Sequence, residues 1–331
     1  MNRLRVRTAL GLVLAFGVCP RVALGWGSEA HETIGLLAER QIAGTRAAAE
    51  VRKLLRSGET LAVASTWADR IKRGGFDAES NDYLLRNPGH LSYHYTDIPF
   101  QAAAYRPDLI GARPDDLVHL YGRCIAILRG RSDAKNNTTG ITPRVALLLV
   151  AHFAGDIEQP FHVGGGYIAE VDGRPRFVDP RGRPRGSYRS DIGANALMFG
   201  PGNLHFYWDI MAVRRAMAQS GGSLGPRAYA DWLAANFKPQ ADWDAKGDPA
   251  SWPAQWAGSI LPLARETRAG LRLGLRVEVP NPSAPPPYRS EWTVALPPEY
   301  ERRATNAVGP QLARGGHRLA RLLQAIWPEA R

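Results

Sequence analysis

Apolar positions recur at helical spacing over residues 29–43 (Ile34, Leu37, Ala38, Ile42), 117–128, 143–157, 204–217, 226–237 and 310–327. Helix therefore dominates the expected fold. Thr142-Pro143 supplies an N-cap hydroxyl followed by proline at the first helical position, and Pro160 closes the same helix. Its interior, Val145-Ala146-Leu147-Leu148-Leu149-Val150, is apolar on every side, which predicts a central buried helix. Residues 164–190 break the rhythm with three glycines and then Arg174, Arg176, Arg181, Arg183, Arg185 and Arg189 among Gly and Pro. A loop or short β-hairpin insertion is expected there. The Pro-rich stretch 278–298 holds Trp292-Thr293-Val294 and predicts a brief strand pair. No internal repeat and no Pro/Gly/Ser linker divides the chain, so a mainly α, single-domain, multi-helix fold is expected.

The first residues follow a different pattern. A basic start (Arg3, Arg5, Arg7), an apolar run from Ala9 to Val18 and the small-residue site Ala23-Leu24-Gly25 predict a signal peptide over 1–25 and a mature domain over 26–331. The apolar run is far short of the roughly 20 residues a membrane span needs, and no later segment approaches it. The expectation is a secreted or periplasmic, soluble monomer with no membrane anchor. Lipidation at Cys19 fits less well, because Phe16 and Val18 do not suit a lipidation site. Once Cys19 is lost with the leader, Cys124 is the only cysteine, so packing or metals rather than a disulfide must hold an exported chain.

The formal charge is +11, and with the leader's four arginines removed it is about +7. Such a surface suits polyanions, or is simply a solvated basic face. Asn136-Asn137-Thr138-Thr139 contains two overlapping glycosylation sequons, which matter only in a eukaryotic secretory pathway.

Candidate chemistry lies on and around the buried helix. His152 and Asp156 are four apart and share one helical face, and His162 follows just past Pro160. A lone histidine on a buried helix is usually a core residue. An unpaired buried carboxylate beside it is costly, however, which points to a shared cation. Asn203-Leu204-His205-Phe206-Tyr207-Trp208-Asp209 repeats the His-x3-Asp spacing on a second helix. Trp67-Ala68-Asp69 and His94-Tyr95-Thr96-Asp97 add further carboxylates and an imidazole, and His31 lies on the first helix.

In this order the motifs resemble the trinuclear-zinc single-strand nucleases of the S-one/P-one type. The resemblance spans the expected mature chain: Trp26-Gly27 with His31 five residues on, Trp67-Ala68-Asp69, His94-aromatic-x-Asp97, His152-Phe-x-Gly-Asp156-x-x-Gln159-Pro-x-His162, and Asn203-Leu-His205-x-x-Trp-Asp209. Gly316-His317-Arg318-Leu319-Ala320 looks like the family's last helix. The resemblance implies three Zn2+. One takes Asp69, His94, His152 and Asp156. A second takes His31, Asp156 as a bridge, and the α-amino nitrogen and carbonyl oxygen of Trp26. The third takes His162, His205 and Asp209. It further implies hydrolysis of single-stranded DNA and RNA to 5′-phosphate products, with 3′-nucleotides also as substrates.

In that scheme Asp69 and Lys72 are catalytic, Tyr95 stacks on a base, Asp97 bonds its edge, and Asn195 touches substrate. The family's Asp-x-Gly-Gly-Asn segment reads Asp191-Ile192-Gly193-Ala194-Asn195 here, a departure at Ala194. His90, His119 and His317 are expected to be structural or surface residues. Two rival readings are a zinc phospholipase C, a relative with the same helical fold, and a secreted zinc-binding protein without catalysis. The short Trp26 to His31 spacing and the Tyr95/Asp97 pair favour the nuclease over the lipase. Asp69 and Lys72, which storage does not require, speak against the zinc binder.

Overall fold

The computed structural model describes residues 26–131, 137, 139–221, 225–281 and 287–329. The expected leader, and Asn136 and Thr138 of the sequons, lie outside the described residues. The N-terminal half carries α1 (Ser28–Ile42), α2 (Arg46–Leu54), α3 (Leu61–Ala64), α4 (Trp67–Arg70), α5 (Ala78–Arg86), α6 (Leu117–Leu128) and α7 (Pro143–Asp156). After it come α8 (Pro160–Val163), α9 (Leu204–Phe206), α10 (Val213–Gln219), α11 (Pro226–Asn236), α12 (Trp252–Glu266) and α13 (Tyr300–Ile326). The fold is mainly α, as the periodicity predicts.

The helix α7 is the centre of the molecule. Its start follows the sequence signal: Thr142 Oγ1 accepts from the Val145 amide at 3.2 Å, with Pro143 in the first turn. Every residue from Val145 to Asp156 is buried, and α1, α3, α4, α6 and α13 all pack on it. Burying each leucine of the run is worth about 1.5–3 kcal/mol. Just past its C-terminal end Glu158, fully buried, ion-pairs Arg314 at 2.8 Å and Arg318 at 2.7 Å, tying the end of α7 to α13. The long contact between α1 and α13 needs glycine: a Cβ on Gly316 would lie 2.4 Å from Leu37 Cβ.

Three helices depart from expectation. The last one begins at Tyr300, ten residues before Pro310, instead of at the proline. Burial of Tyr300, Ala304 and Val308 in its first turns outweighs the backbone bond that Pro310 removes. For the same reason α12 continues through Pro262, with Trp256, Ile260 and Leu261 buried on one face. The expected helix 204–217 is interrupted by a π-helical turn, Tyr207–Ala212, between α9 and α10.

The small sheets sit around one end of the bundle. A parallel pair joins β1 (Ile98–Pro99) to β2 (Gly164–Gly165). The glycine- and arginine-rich insertion is a hairpin, β3 (Tyr167–Val171) with β4 (Arg174–Val178), and β5 (Arg189–Ser190) pairs on the other side of β3. The C-terminal strand pair is longer than the sequence suggests. Strands β8 (Arg272–Pro280) and β9 (Tyr288–Ala295) join β6 (Leu197–Phe199) and β7 (Gly202–Asn203) in the order β7-β6-β9-β8. Cys124 is a free thiol buried in α6. Among the described residues no helix is long and apolar enough to cross a membrane.

Candidate metal centre

His152 and Asp156 project from α7, His31 from α1, Asp69 from α4, His94 from the short helical turn His90–His94, His162 from α8, His205 from α9 and Asp209 from the π turn. These side chains, 178 residues apart from His31 to Asp209, converge on one spot, and all but Asp69 are buried. Their ligand-type atoms form three groups: His31, His152 and Asp156; Asp69, His94 and His152; His162, His205 and Asp209. Here His152 falls in two groups, whereas the resemblance places it in one.

Asp156 links the groups. Its Oδ2 lies 3.0 Å from both His94 Nδ1 and His152 Nε2, and its Oδ1 lies 3.2 Å from His162 Nδ1 and 3.6 Å from His31 Nε2. Asp69 Oδ1 is 3.6 Å from His152 Nε2, 3.9 Å from His94 Nδ1 and 2.6 Å from Lys72 Nζ. The last is an ion pair without the alignment of a hydrogen bond.

The imidazoles are aimed by the main chain. Nδ1 of His152, His162 and His205 lies 2.7, 2.8 and 2.5 Å from the carbonyls of Ser65, His94 and Gly193 respectively. Each carbonyl accepts a proton only from Nδ1–H, so each neutral ring turns the lone pair of Nε2 inward. His162 Nε2 then faces His205 Nε2 at 3.2 Å, and His152 Nε2 faces His94 Nδ1 at 2.9 Å. Facing lone pairs repel unless a proton or a cation stands between them. His31 offers neither ring nitrogen to any hydrogen-bond partner, although it is completely buried, and Asp156 Oδ1 is likewise without one. Orphaned, inward-facing nitrogens and carboxylate oxygens fit divalent metal ions of the kind that accept mixed nitrogen and oxygen ligands.

Electrostatics agree with that donor set. Burial, reinforced by His152, pushes the His31 imidazole down to about 3, and burial with Lys72 does the same to His94. Both rings are therefore neutral and free to ligate at any ordinary pH. Burial opposes ionisation of Asp69 and Asp156, yet Lys72 beside Asp69, and the histidines around both, hold the two carboxyls well below the usual range. Burial also works against the His152 cation, but Asp156 and Asp69 outweigh it and raise its pKa.

A cavity of about 250 Å3 opens over the centre, lined by Lys72, Leu91, His94, Tyr95, Asp97, Phe161, His162, Ile192, Gly193, Asn195, Asn203, His205 and Arg289. The sequence predicts a cleft walled by helices 29–43, 143–157 and 204–217. Of these only the last contributes a lining residue; the other lining residues come from α8, the His90–His94 turn, β7, β9 and loops, and none from α1 or α7. Tyr95 lies under the guanidinium of Arg113, 5.1 Å from the ring centroid. Asp97 keeps partial exposure through the cavity, yet burial, together with nearby Asp191, pushes its carboxyl up to about 6. Asn195 donates from Nδ2 to the Ile192 carbonyl at 2.9 Å.

The loop behind Asn195 is strained. Ile192, Gly193 and Ala194 take φ of 54°, 55° and 63°, successive left-handed residues of which only one is glycine. Each non-glycine costs about 1 kcal/mol or more there. The buried Arg268–Asp191 ion pair, 2.9 Å, and the Gly166 amide, 2.9 Å from Asp191 Oδ1, hold the loop's start in place. The departure at Ala194 is thus accommodated in a left-handed conformation, with its methyl buried.

Supporting residues were only partly visible beforehand. Gln159, inside a recognised motif, donates from Nε2 to Asp209 Oδ1 at 2.7 Å. Arg268, Arg113 and Arg289 carry no local sequence signal. Trp26 is buried, and the amide of Gly27 donates to the Asp209 carbonyl at 3.0 Å, so the start of the described chain abuts the third group. His90, His119 and His317 stand outside the three groups. His119 Nδ1 lies 2.9 Å from Asp116 Oδ1, and His317 Nε2 lies 2.9 Å from Asp244 Oδ1.

Fold and site together define a class: a mainly α protein whose helices gather a buried imidazole and carboxylate centre beneath an open cavity. The chain belongs to the S1/P1 nuclease family, whose family model matches residues 26–328. Among curated proteins it is similar to three from Arabidopsis thaliana. Endonuclease 2 is 29% identical over 201 residues, 59% of this chain and 58% of the relative. Endonuclease 4 is 28% identical over 205 residues, with the same coverage. Endonuclease 5 is 25% identical over 336 residues, 92% of this chain and 91% of its own length. The chain thus matches somewhat over half the length of the first two.

Proposed function

We propose that the protein is an exported, zinc-dependent nuclease that hydrolyses phosphodiesters of single-stranded DNA and RNA to 5′-phosphate products, with 3′-nucleotidase activity. The observation that carries this reading is the set of three imidazole and carboxylate groups, with His31, Asp69 Oδ1 and Asp156 Oδ1 unpartnered, beside a cavity edged by Tyr95, Asp97 and Lys72.

Asp69, His94, His152 and Asp156 would hold one ion, His31 and Asp156 a second, and His162, His205 and Asp209 the third. When bound, such ions supply Lewis acidity toward phosphate oxygens and activate water for attack on phosphorus. Asp69, kept ionised by Lys72, would orient a water there or take its proton. Lys72 offers a positive charge to the phosphate, as a point charge without the two-pronged grip of arginine. The Tyr95 ring stacks on a base, and Asp97 bonds the base edge. An aromatic face with one polar contact accepts many bases but needs them unstacked, which selects single strands over duplex.

Signal-peptide removal before Trp26 would let its α-amino nitrogen and carbonyl oxygen complete the shell around His31. The Gly27–Asp209 bond, which keeps this end of the chain at the centre, supports that reading. A chain retaining Met1 has an amide at this position and is expected to be inactive. Full activity and full zinc content in a cytosolic, uncleaved form would remove this part of the proposal.

The test is incubation of the protein, purified after export, with single-stranded DNA, RNA, a 3′-mononucleotide and phosphatidylcholine, beside an Asp69→Asn variant and a chelated sample. Release of 5′-mononucleotides that disappears in both controls is the expected result. Lipid cleavage alone would make the protein a phospholipase C, and bound zinc without turnover would make it a zinc-binding protein.

A further inference from the structure

Beyond the metal cavity, the arginine-bearing strands form a second feature that the proposed chemistry does not use. Arg289 on β9 lines the metal cavity. Three residues further along the same strand, about 10 Å at strand spacing, Trp292 lines a second cavity together with Tyr188, Arg189 and Arg276. Arg276, paired with Trp292 across the sheet, also lines an open groove of about 880 Å3 between the β3–β4 hairpin and β8. Arg174, Arg176 and Arg272 stand in that groove beside Phe177. The second cavity and the groove therefore run one into the other through their shared Glu170 and Arg276, on the face of β9 opposite to that of Arg289.

The charges on this path are not all spoken for. Arg276 and Arg289 are paired with Glu278 and Glu291 at 2.9 and 2.7 Å. Arg174, Arg176 and Arg272 are exposed and have no carboxylate partner among the described residues, with Glu170 the one acid lining their groove. Unpaired guanidinium groups in a groove beside the half-buried ring of Phe177 match a phosphate backbone with an unstacked base.

We propose that this groove is a second, non-catalytic binding surface for single-stranded nucleic acid, which holds the part of a long strand lying beyond the scissile phosphate. The proposal rests on the single-strand reading above. It makes the enzyme discriminate by length: a mononucleotide fills only the metal cavity, whereas a polymer engages both sites.

The experiment compares the exported protein with Arg174→Ala/Arg176→Ala/Arg272→Ala and with the corresponding triple Lys variant. Binding of a fluorescein-labelled phosphorothioate oligothymidylate of about 20 nucleotides is measured by anisotropy from roughly 50 to 200 mM salt. Loss of three phosphate contacts at about 0.7 per contact should flatten the plot of log affinity against log salt by about 2, with about tenfold or more weaker binding at the low-salt end. The Lys variant should keep the slope, which separates charge from misfolding. Turnover of a 3′-mononucleotide should be the same in all three proteins. Unchanged slope and affinity in the Ala variant would overturn the proposal. If no protein hydrolyses nucleic acid but the slope still falls, the groove stands and the nuclease reading fails.

Discussion

The two halves of the candidate metal centre are built differently. His31, Asp69, His94, His152 and Asp156 sit on or beside helices that pack directly on α7. His162, His205 and Asp209 sit on a one-turn helix, a three-residue helix and a π turn, and the ring of His205 is aimed by a carbonyl in a strained left-handed loop. The first half inherits its geometry from the hydrophobic core. In the second half, specific hydrogen bonds donated by Gln159 and the Gly27 amide and accepted by the Gly193 carbonyl must supply what packing does not. Irregular helical turns of this kind concentrate at functional sites.

Asp156 is where the comparison breaks most completely, because its two oxygens face both halves. Asp156→Asn should empty more than one metal position, measured by elemental analysis, and lower kcat/KM by about 10^3 or more, since several kcal/mol of Lewis-acid stabilisation are lost at 1.36 kcal/mol per decade. Retention of the full metal complement would show that the carboxylate is not shared. His205→Ala should act on one half alone, removing a single ion equivalent while the helix-borne half keeps its own. Loss of every ion from that variant would mean the halves are not separable.

Gln159→Ala sharpens the contrast further, since Gln159 touches no proposed substrate, donates to Asp209 and accepts from the Phe161 amide at the start of α8, so both of its bonds serve the second half. A loss of 10- to 100-fold in affinity for the weakest ion, by competition with a chelator, is the expected size of such an effect. No change would place the orientation of Asp209 in the π turn itself. The smallest effect concerns the cavity wall. The Asp97 carboxyl, pushed up to about 6 from an unfolded value near 3.9, costs stability as it ionises. Relative to Asp97→Asn, the native chain should lose stability as pH rises from about 4 to about 6 and hold a constant difference above that. Urea midpoints across this range measure it, and a pH-independent difference would show an ordinary carboxylate.

How much could be read in advance follows the same division. The i,i+4 pair His152 and Asp156 in an apolar helix with a clear N-cap announced both the core and the first half. The His205/Asp209 pair shares that spacing, but nothing local betrays the π turn between them or the left-handed run Ile192–Ala194. Both are set by tertiary constraint: the Arg268–Asp191 pair joins residues 77 apart in sequence. The start expected at Pro310 fails for a related reason, since local propensity favours proline at a helix start while buried residues before it carry the helix back to Tyr300. The cavity walls differ from the expected helices because loops leave no periodic trace.

The three imidazoles anchored on backbone carbonyls bear on how the centre fills. Where ligands gather only when an ion arrives, as in small zinc-stapled domains, capture and folding are one event and chelation unravels the chain. Here the rings are pointed by carbonyl groups of a helical body that stands on its own hydrophobic interior. If the centre takes ions as proposed, loading would be a docking event on a finished scaffold, and stripping the ions would leave a vessel of the same shape.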